Sequence, residues 1–177
     1  QIESAINNKT RAISIPNLLG NLPNWPLIYK IAKKHNLFII EDSADTLGAT
    51  INNYSSGKFS DVSITSFYGS HIINCAGNGG MVCFNNKKIY NRAKLLRSWG
   101  RSSSLFDSKS EKIENRFNIE IDGISYDKKF VFEELGYNLE PSELGSAFGL
   151  IQLQRLKFNL NKRTKLFKSH TSFLSQF

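Results

Sequence analysis

The chain has 177 residues, 40% of them hydrophobic, which is enough for one substantial core and excludes a disordered composition. Its formal net charge of +8 admits an anionic partner, but the lysines and arginines spread over predicted helix faces without forming one aromatic-interleaved patch, so nucleic acid is not the expected partner. Apolar runs stay short of the roughly 20 residues of a membrane span. Cys75 and Cys83 are too few and too isolated for a disulfide framework or a CxxC metal site, so the expectation is two reduced thiols in a cytoplasmic protein with no metal and no membrane anchor.

In chain order, residues 11–15 (RAISI) read as a strand, and Pro16, Gly20 and Pro23 mark the loop that ends it. Asn24 is placed to cap a helix, with Pro26 in the first turn and Ile28, Ile31, Ala32 and His35 on one face. Leu37-Phe38-Ile39-Ile40, ended by Glu41-Asp42, predicts a parallel strand buried on both faces and completes a βαβ unit. Residues 51–60 read as a loop or hairpin. Over 61–66, Val62, Ile64 and Ser66 alternate with Ser63 and Thr65 as in a strand. Tyr68-Gly69-Ser70-His71 then puts hydroxyls and an imidazole just beyond a strand's carboxyl end, where open α/β sheets bind ligands. Gly77, Gly79 and Gly80 let the backbone turn before a strand resumes through Phe84.

Ile89, Ala93 and Leu96 recur at helical spacing up to Gly100. Residues 101–129 are polar and irregular and predict a long surface excursion. A helix is expected from about Pro141, with Leu144, Ala147, Phe148 and Ile151 on its packed face, and a further amphipathic helix over 160–177. The alternation makes the chain α/β. It begins with Gln1, holds a single methionine at Met81 and runs helix-like to its end, so it reads as a fragment of a longer protein. Strands missing from such a fragment would leave a sheet edge and an apolar face open, and isolated 1–177 is expected to aggregate.

Five polar residues stand out, each with an ordinary reading beside the chemical one. Asp42 is either a solvated strand terminus or a carboxylate aimed into a site, and Asp45 either caps a short helix or faces the same site. Ser66 could be a plain sheet residue, Asn138 a turn residue or helix cap, and a lone His71 a surface side chain.

With Glu41-Asp42 upstream and Gly136-Tyr137-Asn138 downstream, the run Ser66-Phe67-Tyr68-Gly69-Ser70-His71 resembles the DegT/DnrJ/EryC1/StrS family of sugar aminotransferases and dehydratases. The resemblance implies part of the large domain of the pyridoxal phosphate-dependent transferases (aspartate aminotransferase-like, fold type I), with residues 1–155 in the cofactor-binding domain and 156–177 a helix leading toward a small C-terminal domain. Most family members have a lysine, bonded to the cofactor, where this chain has His71. A histidine there is similar to the GDP-4-keto-6-deoxy-D-mannose 3-dehydratase branch, and it implies pyridoxal or pyridoxamine 5'-phosphate held without a covalent bond.

By the same resemblance Asp42 pairs with the pyridine nitrogen, keeping it protonated as an electron sink. Asp45 neighbours the phenolic oxygen, Ser66 hydrogen-bonds the phosphate, and Asn138 reaches the partner's phosphate across a homodimer interface. Leu139-Glu140-Pro141 departs from the commoner family residues. The implied activity takes an amino group from glutamate, releasing 2-oxoglutarate. His71 then removes a proton so that a 4-keto-6-deoxy nucleotide sugar loses its C3 hydroxyl, a step of deoxysugar and lipopolysaccharide O-antigen biosynthesis.

Pro16-Asn17-Leu18 with Gly20 to Trp25, and Phe130 to Asn138, also resemble the dehydratase version. Related iron–sulfur 3-dehydrases need cysteines after Trp99-Gly100-Arg101, and here Ser102-Ser103-Ser104 follows, so a cluster would have no ligands. The alternatives are a nucleotide-sugar aminotransferase that tolerates histidine, and a noncatalytic homologue that binds cofactor or sugar nucleotide.

Overall fold

The computed structural model describes residues 1–107, 109 and 111–177. Contacts divide them into two compact units, one of residues 1–85 with 142–177 and one of residues 86–141.

The first unit is built on a sheet with strand order β1-β2-β5-β6: β1 Ala12–Pro16, β2 Phe38–Asp42, β5 Val62–Ser66 and β6 Gly80–Phe84. β1, β2 and β5 run parallel, and β1 reaches β2 through α1 (Trp25–Lys34), the βαβ unit that the sequence predicts. Asn24 caps α1, its side-chain oxygen accepting from the Leu27 amide at 3.1 Å. β6 pairs antiparallel with β5, because the connection over residues 67–79 holds no crossover helix and returns alongside its own strand. A small hairpin, β3 (Thr50–Ile51) and β4 (Tyr54–Ser55), turns through Asn52-Asn53, both at positive φ as a two-residue hairpin turn requires.

Ile13, Trp25, Ile28, Ala32, Leu37 and Ile39 form the core between α1 and one sheet face. Burial at about 1.5–3 kcal/mol per large side chain makes this the main source of stability in the unit. The other face differs from expectation. β2 is buried only at Ile39 and Glu41, while Phe38 (48%) and Ile40 (36%) are exposed. The apolar run belongs to a strand that this chain covers on one side only.

α3 (Glu143–Gln154) and α4 (Leu156–Leu174) complete the first unit. The expected packing face of α3 is wrong: Leu144, Ala147, Phe148 and Ile151 are exposed, and the buried residues are Gly145 and Gly149. Close approach selects the glycine side, since a Cβ on Gly149 would lie 2.5 Å from Cys75 Sγ and one on Gly145 3.0 Å from the Cys75 carbonyl oxygen. α4 has the expected helical form, but none of its residues is buried.

The second unit holds α2 (Lys87–Arg97), capped by Asn86, and a segment more ordered than expected. β7 (Ile119–Ile121) and β8 (Ile124–Tyr126) pair through Asp122-Gly123, a dipeptide that signals a two-residue hairpin and lies in the stretch expected to be irregular. Arg116 closes the hairpin onto Asp127, donating from Nε at 2.9 Å and holding that carboxyl below the usual range. Part of the same stretch, Ser108 and Ser110, lies outside the described residues.

Glu41, 1% exposed, is the carboxylate on which the first unit closes. Oε1 accepts from Asn17 Nδ2 (3.0 Å) and Ser43 Oγ (2.6 Å), and Oε2 from the Gly57 amide (2.8 Å) and Ser60 Oγ (3.2 Å). Asn17 in turn accepts from the buried indole of Trp25 at 2.8 Å. Glu41→Gln sets an amide donor against existing donors and is expected to cost about 1–3 kcal/mol, read from the denaturation midpoint of the full-length protein. Gly149→Val, forced against Cys75, is expected to lower stability by about 1–3 kcal/mol in the same measurement, despite valine's smaller backbone entropy cost. At the amino end, hydrogen bonds from Lys34 and His35 hold the Glu3 carboxyl down to about 2 from 4.5. Its tie to α1 is therefore fully present above pH 4.5 and lost as pH falls toward 2, which amide exchange of residues 3–6 is expected to follow.

Candidate functional site

Alternation along the strands decides what faces the uncovered side of the sheet. Glu41 points to the α1 side, so Asp42 beside it points to the other, with Phe38 and Ile40. The register sets Asp42 level with Ile64 on β5, and Ser66, two residues on, shares that face about 8 Å from Asp42 between Cα atoms. A half-buried carboxylate and a hydroxyl thus stand together at the carboxyl ends of two adjacent parallel strands.

Asp42 begins a turn: its Oδ1 accepts from the Ala44 amide at 3.1 Å, and its carbonyl accepts from the Asn17 amide at 2.8 Å. No helix starts at residues 43–45, so the capping alternative for Asp45 does not hold. Instead Asp45 Oδ2 accepts from the Leu19 amide at 3.3 Å, and Oδ1 lies 3.5 Å from Nε2 of His71. Ser66 is more than a sheet residue, since its Oγ accepts from the Tyr68 amide at 3.2 Å and so shapes the exit from β5.

His71 sits in the 67–79 connection, which is pinned at its base by Phe67 N–H to the Gly79 carbonyl (2.8 Å) and Cys75 N–H to the Phe67 carbonyl (3.0 Å). The His71 amide donates to the Tyr68 carbonyl at 3.0 Å, and the Tyr68 ring stands edge-on to the imidazole at 6.2 Å. With 24% of the side chain exposed, the ring is no free surface group. Its Nδ1 is buried with no hydrogen-bond partner among the described residues. The Asp45 carboxylate beside Nε2 gives the ring an oriented acceptor at one nitrogen and leaves Nδ1 without one among the described residues.

Of the five predicted site residues, Asp42, Asp45, Ser66 and His71 lie in the first unit, and the structure brings Asp45 and His71 into direct apposition. Asn138 lies in the second unit, exposed, with its backbone bridged to Ser98. Lys58, one of the two lysines nearest to His71 in sequence, lies over the Tyr54 ring in the segment whose Gly57 amide binds Glu41, the sheet face opposite Asp42. Lys87 opens α2 in the second unit. Glu41 escaped the sequence reading. Its signal was a carboxylate adjoining Asp42 at the end of a buried strand, with Asn17, Ser43 and Ser60 available as donors.

The donor set fits a pyridoxal phosphate: one half-buried carboxylate, a hydroxyl beyond it on the same face, and an imidazole with an unsatisfied buried nitrogen. Among the described residues no group of three potential metal ligands occurs, both cysteines are free, and no helix is long and apolar enough to cross a membrane.

Known proteins resemble this chain in sequence and in fold. The profile of the DegT/DnrJ/EryC1/StrS aminotransferase family matches residues 1–177. The lipopolysaccharide biosynthesis protein RfbH of Salmonella typhimurium is 34% identical over 177 residues, taking in 99% of this chain and 39% of that protein. A Campylobacter jejuni UDP-4-amino-4,6-dideoxy-N-acetyl-beta-L-altrosamine transaminase is 34% identical over 156 residues, 88% of this chain and 35% of the relative. Among solved structures, Escherichia coli GDP-4-keto-6-deoxy-D-mannose-3-dehydratase with bound hydrated PLP matches at a TM-score of 0.73 and 30% identity, covering 88% of this chain and 38% of that one. The chain spans about two fifths of the length of such relatives, and shares with them the α/β fold of fold type I enzymes.

Proposed function

The chain belongs to the DegT/DnrJ/EryC1/StrS aminotransferase family, and from that premise we propose that it carries the cofactor site of a lysine-free 3-dehydratase acting on a 4-keto-6-deoxy nucleotide sugar. The observation that carries the reading is His71: it stands five residues after Ser66, beyond the carboxyl end of β5, with Nε2 3.5 Å from Asp45 and no lysine between residues 61 and 80.

Pyridoxamine phosphate, when bound, would supply an amino group for the sugar's 4-keto carbon and a ring that accepts electrons. The chain's residues do the rest. Asp42 holds the pyridine nitrogen in its protonated form, Asp45 lies on the phenolic side, and Ser66 takes the phosphate. Asn138 serves the partner's phosphate in a homodimer. His71 is the base whose removal of a proton lets the C3 hydroxyl leave, and Asp45 steadies the imidazolium that results. An imidazole cannot bond covalently to the cofactor, so no amine competes for it while the hydroxyl departs. Residues 1–155 form the cofactor-binding part, and α4 leads toward a further domain. The enzyme works in the cytoplasm, in keeping with its two free thiols.

A nucleotide-sugar aminotransferase is the second reading, favoured by the transaminase among the relatives. Ammonia decides between them. Full-length protein given glutamate and a 4-keto-6-deoxy nucleotide sugar is expected to release ammonia with a 3-deoxy product, whereas an amino sugar without ammonia would make it a transaminase. His71→Gln is expected to lower kcat by about 10²–10⁴. Ser66→Ala is expected to weaken cofactor retention by about 1.5–3 kcal/mol, measured by dialysis. His71→Lys is expected to create a borohydride-reducible link to the cofactor, and a folded variant with neither that link nor transamination would count against the assigned position.

A further inference from the structure

Leu19, in the loop after β1, holds a left-handed backbone with φ 55° and ψ 27°, a conformation that is unfavourable for any residue with a Cβ. Its side chain is 82% exposed, so packing gives no reason for the strain. The reason lies in the main chain. From this conformation the Leu19 amide donates to Asp45 Oδ2 at 3.3 Å, while the Gly20 amide turns back to the Asn17 carbonyl and the Asn21 amide to the Leu18 carbonyl, each at 3.1 Å. A strained residue that persists because its surroundings fix it is a pointer to function.

The loop is anchored at its start. Asn17, 1% exposed, gives its amide to the Asp42 carbonyl at 2.8 Å, and its side-chain Nδ2 to Ser43 Oγ at 2.8 Å and Thr46 Oγ1 at 3.3 Å. Those hydroxyls stand on either side of Asp45, and the Thr46 amide closes the turn on the Ser43 carbonyl at 3.2 Å. One loop therefore holds the turn that carries Asp45 and, through Leu19, one oxygen of its carboxylate. Fixing Oδ2 fixes the carboxylate plane, and Oδ1 is left facing His71 Nε2 at 3.5 Å. All of these residues lie in the first unit.

We propose that Leu19 is a positioning residue for the histidine base: its left-handed amide sets the Asp45 carboxylate, which takes the hydrogen of His71 Nε2 and leaves Nδ1 as the nitrogen that accepts a proton. The inference rests on the reading of His71 as the base. An ionised carboxylate only accepts, so it selects the neutral ring with its hydrogen on Nε2. Nδ1, which has no partner among the described residues, then carries the lone pair. The side chain of Leu19 plays no part, so any residue that tolerates the left-handed backbone serves in its place.

The test uses full-length, cofactor-loaded protein with ¹⁵N-labelled histidine, the His71 signals being identified by their loss in His71→Gln. At a pH where the ring is neutral, the wild-type hydrogen is expected on Nε2. Leu19→Ile, whose β-branch disfavours the left-handed backbone, is expected to lose this single tautomer and to lower kcat about tenfold. Leu19→Gly and Leu19→Asn, which accept that backbone, are expected to keep the tautomer and to stay within about twofold of the wild-type kcat. Should Leu19→Ile fail to fold, Leu19→Ala against Leu19→Gly makes the same comparison without a side chain, and kcat is expected to be about threefold lower for alanine. A wild-type ring with its hydrogen on Nδ1 overturns the proposal, as does the wild-type tautomer in Leu19→Ile or, where that variant does not fold, in Leu19→Ala. Activity kept by Leu19→Ile and lost by Leu19→Gly overturns it in favour of a side-chain contact with substrate. The tautomer is read without substrate, so a protein that shows the expected pattern yet releases no ammonia would refute the dehydratase reading alone.

Discussion

A buried carboxylate with no cationic partner among the described residues is the constraint on which the first unit depends. Removing Glu41 from water would be costly unless each oxygen found donors, and each finds two: Asn17 and Ser43 at one, the Gly57 amide and Ser60 at the other. These four donors come from three separate stretches of chain, so satisfying one side chain gathers the loop after β1, the turn after β2 and the segment leading into β5. Asn17 extends the network to the indole of Trp25 and so to the core under α1. Because strand residues alternate, Glu41 turned inward obliges Asp42 to face the open side. The structural carboxylate thereby aims the functional one.

The same geometry explains how the candidate site stays polar without coming apart. Asp42, Asp45 and Ser66 each accept a backbone amide from a neighbouring turn, so their positions are set by local hydrogen bonds before any ligand arrives. His71 is held differently, by a backbone bond to Tyr68 and by the carboxylate of Asp45, while its second ring nitrogen has no partner among the described residues. A polar atom left short within an otherwise satisfied network marks where a ligand or proton has work to do. In the reading proposed here, the histidine keeps the base of the family's chemistry and gives up the covalent anchor, so retention of the cofactor falls to Asp42, Ser66 and the partner-facing Asn138.

Much of the fold was legible because periodicity and punctuation agree there. Asn24 and Pro26 open α1, Glu41-Asp42 close β2, and the alternation from Val62 to Ser66 gives β5. Three features were not. The apolar run of β2 predicted cover on both sides, but sequence does not say how much of the covering chain is present. For α3, the large apolar residues suggested the packed face, while the structure packs Gly145 and Gly149 on Cys75, whose carbonyl oxygen and Sγ crowd the places where a Cβ would stand. The hairpin at Asp122-Gly123 was hidden by the polar composition of its surroundings. At the site, the residue types and their spacing were readable, and the apposition of Asp45 with His71 was not, since it joins two loops 26 positions apart.

The claim at the centre of this account is a cofactor site with a histidine where a covalently bonded lysine is usual. It is tested most directly by adding pyridoxal phosphate to the full-length protein, reducing with borohydride and recording the absorbance spectrum and the intact mass. The account predicts a free-aldehyde spectrum that glutamate converts to the pyridoxamine form, with no mass added to the protein by reduction. A reduced adduct on any lysine would contradict it, and would hand the site to transaminase chemistry.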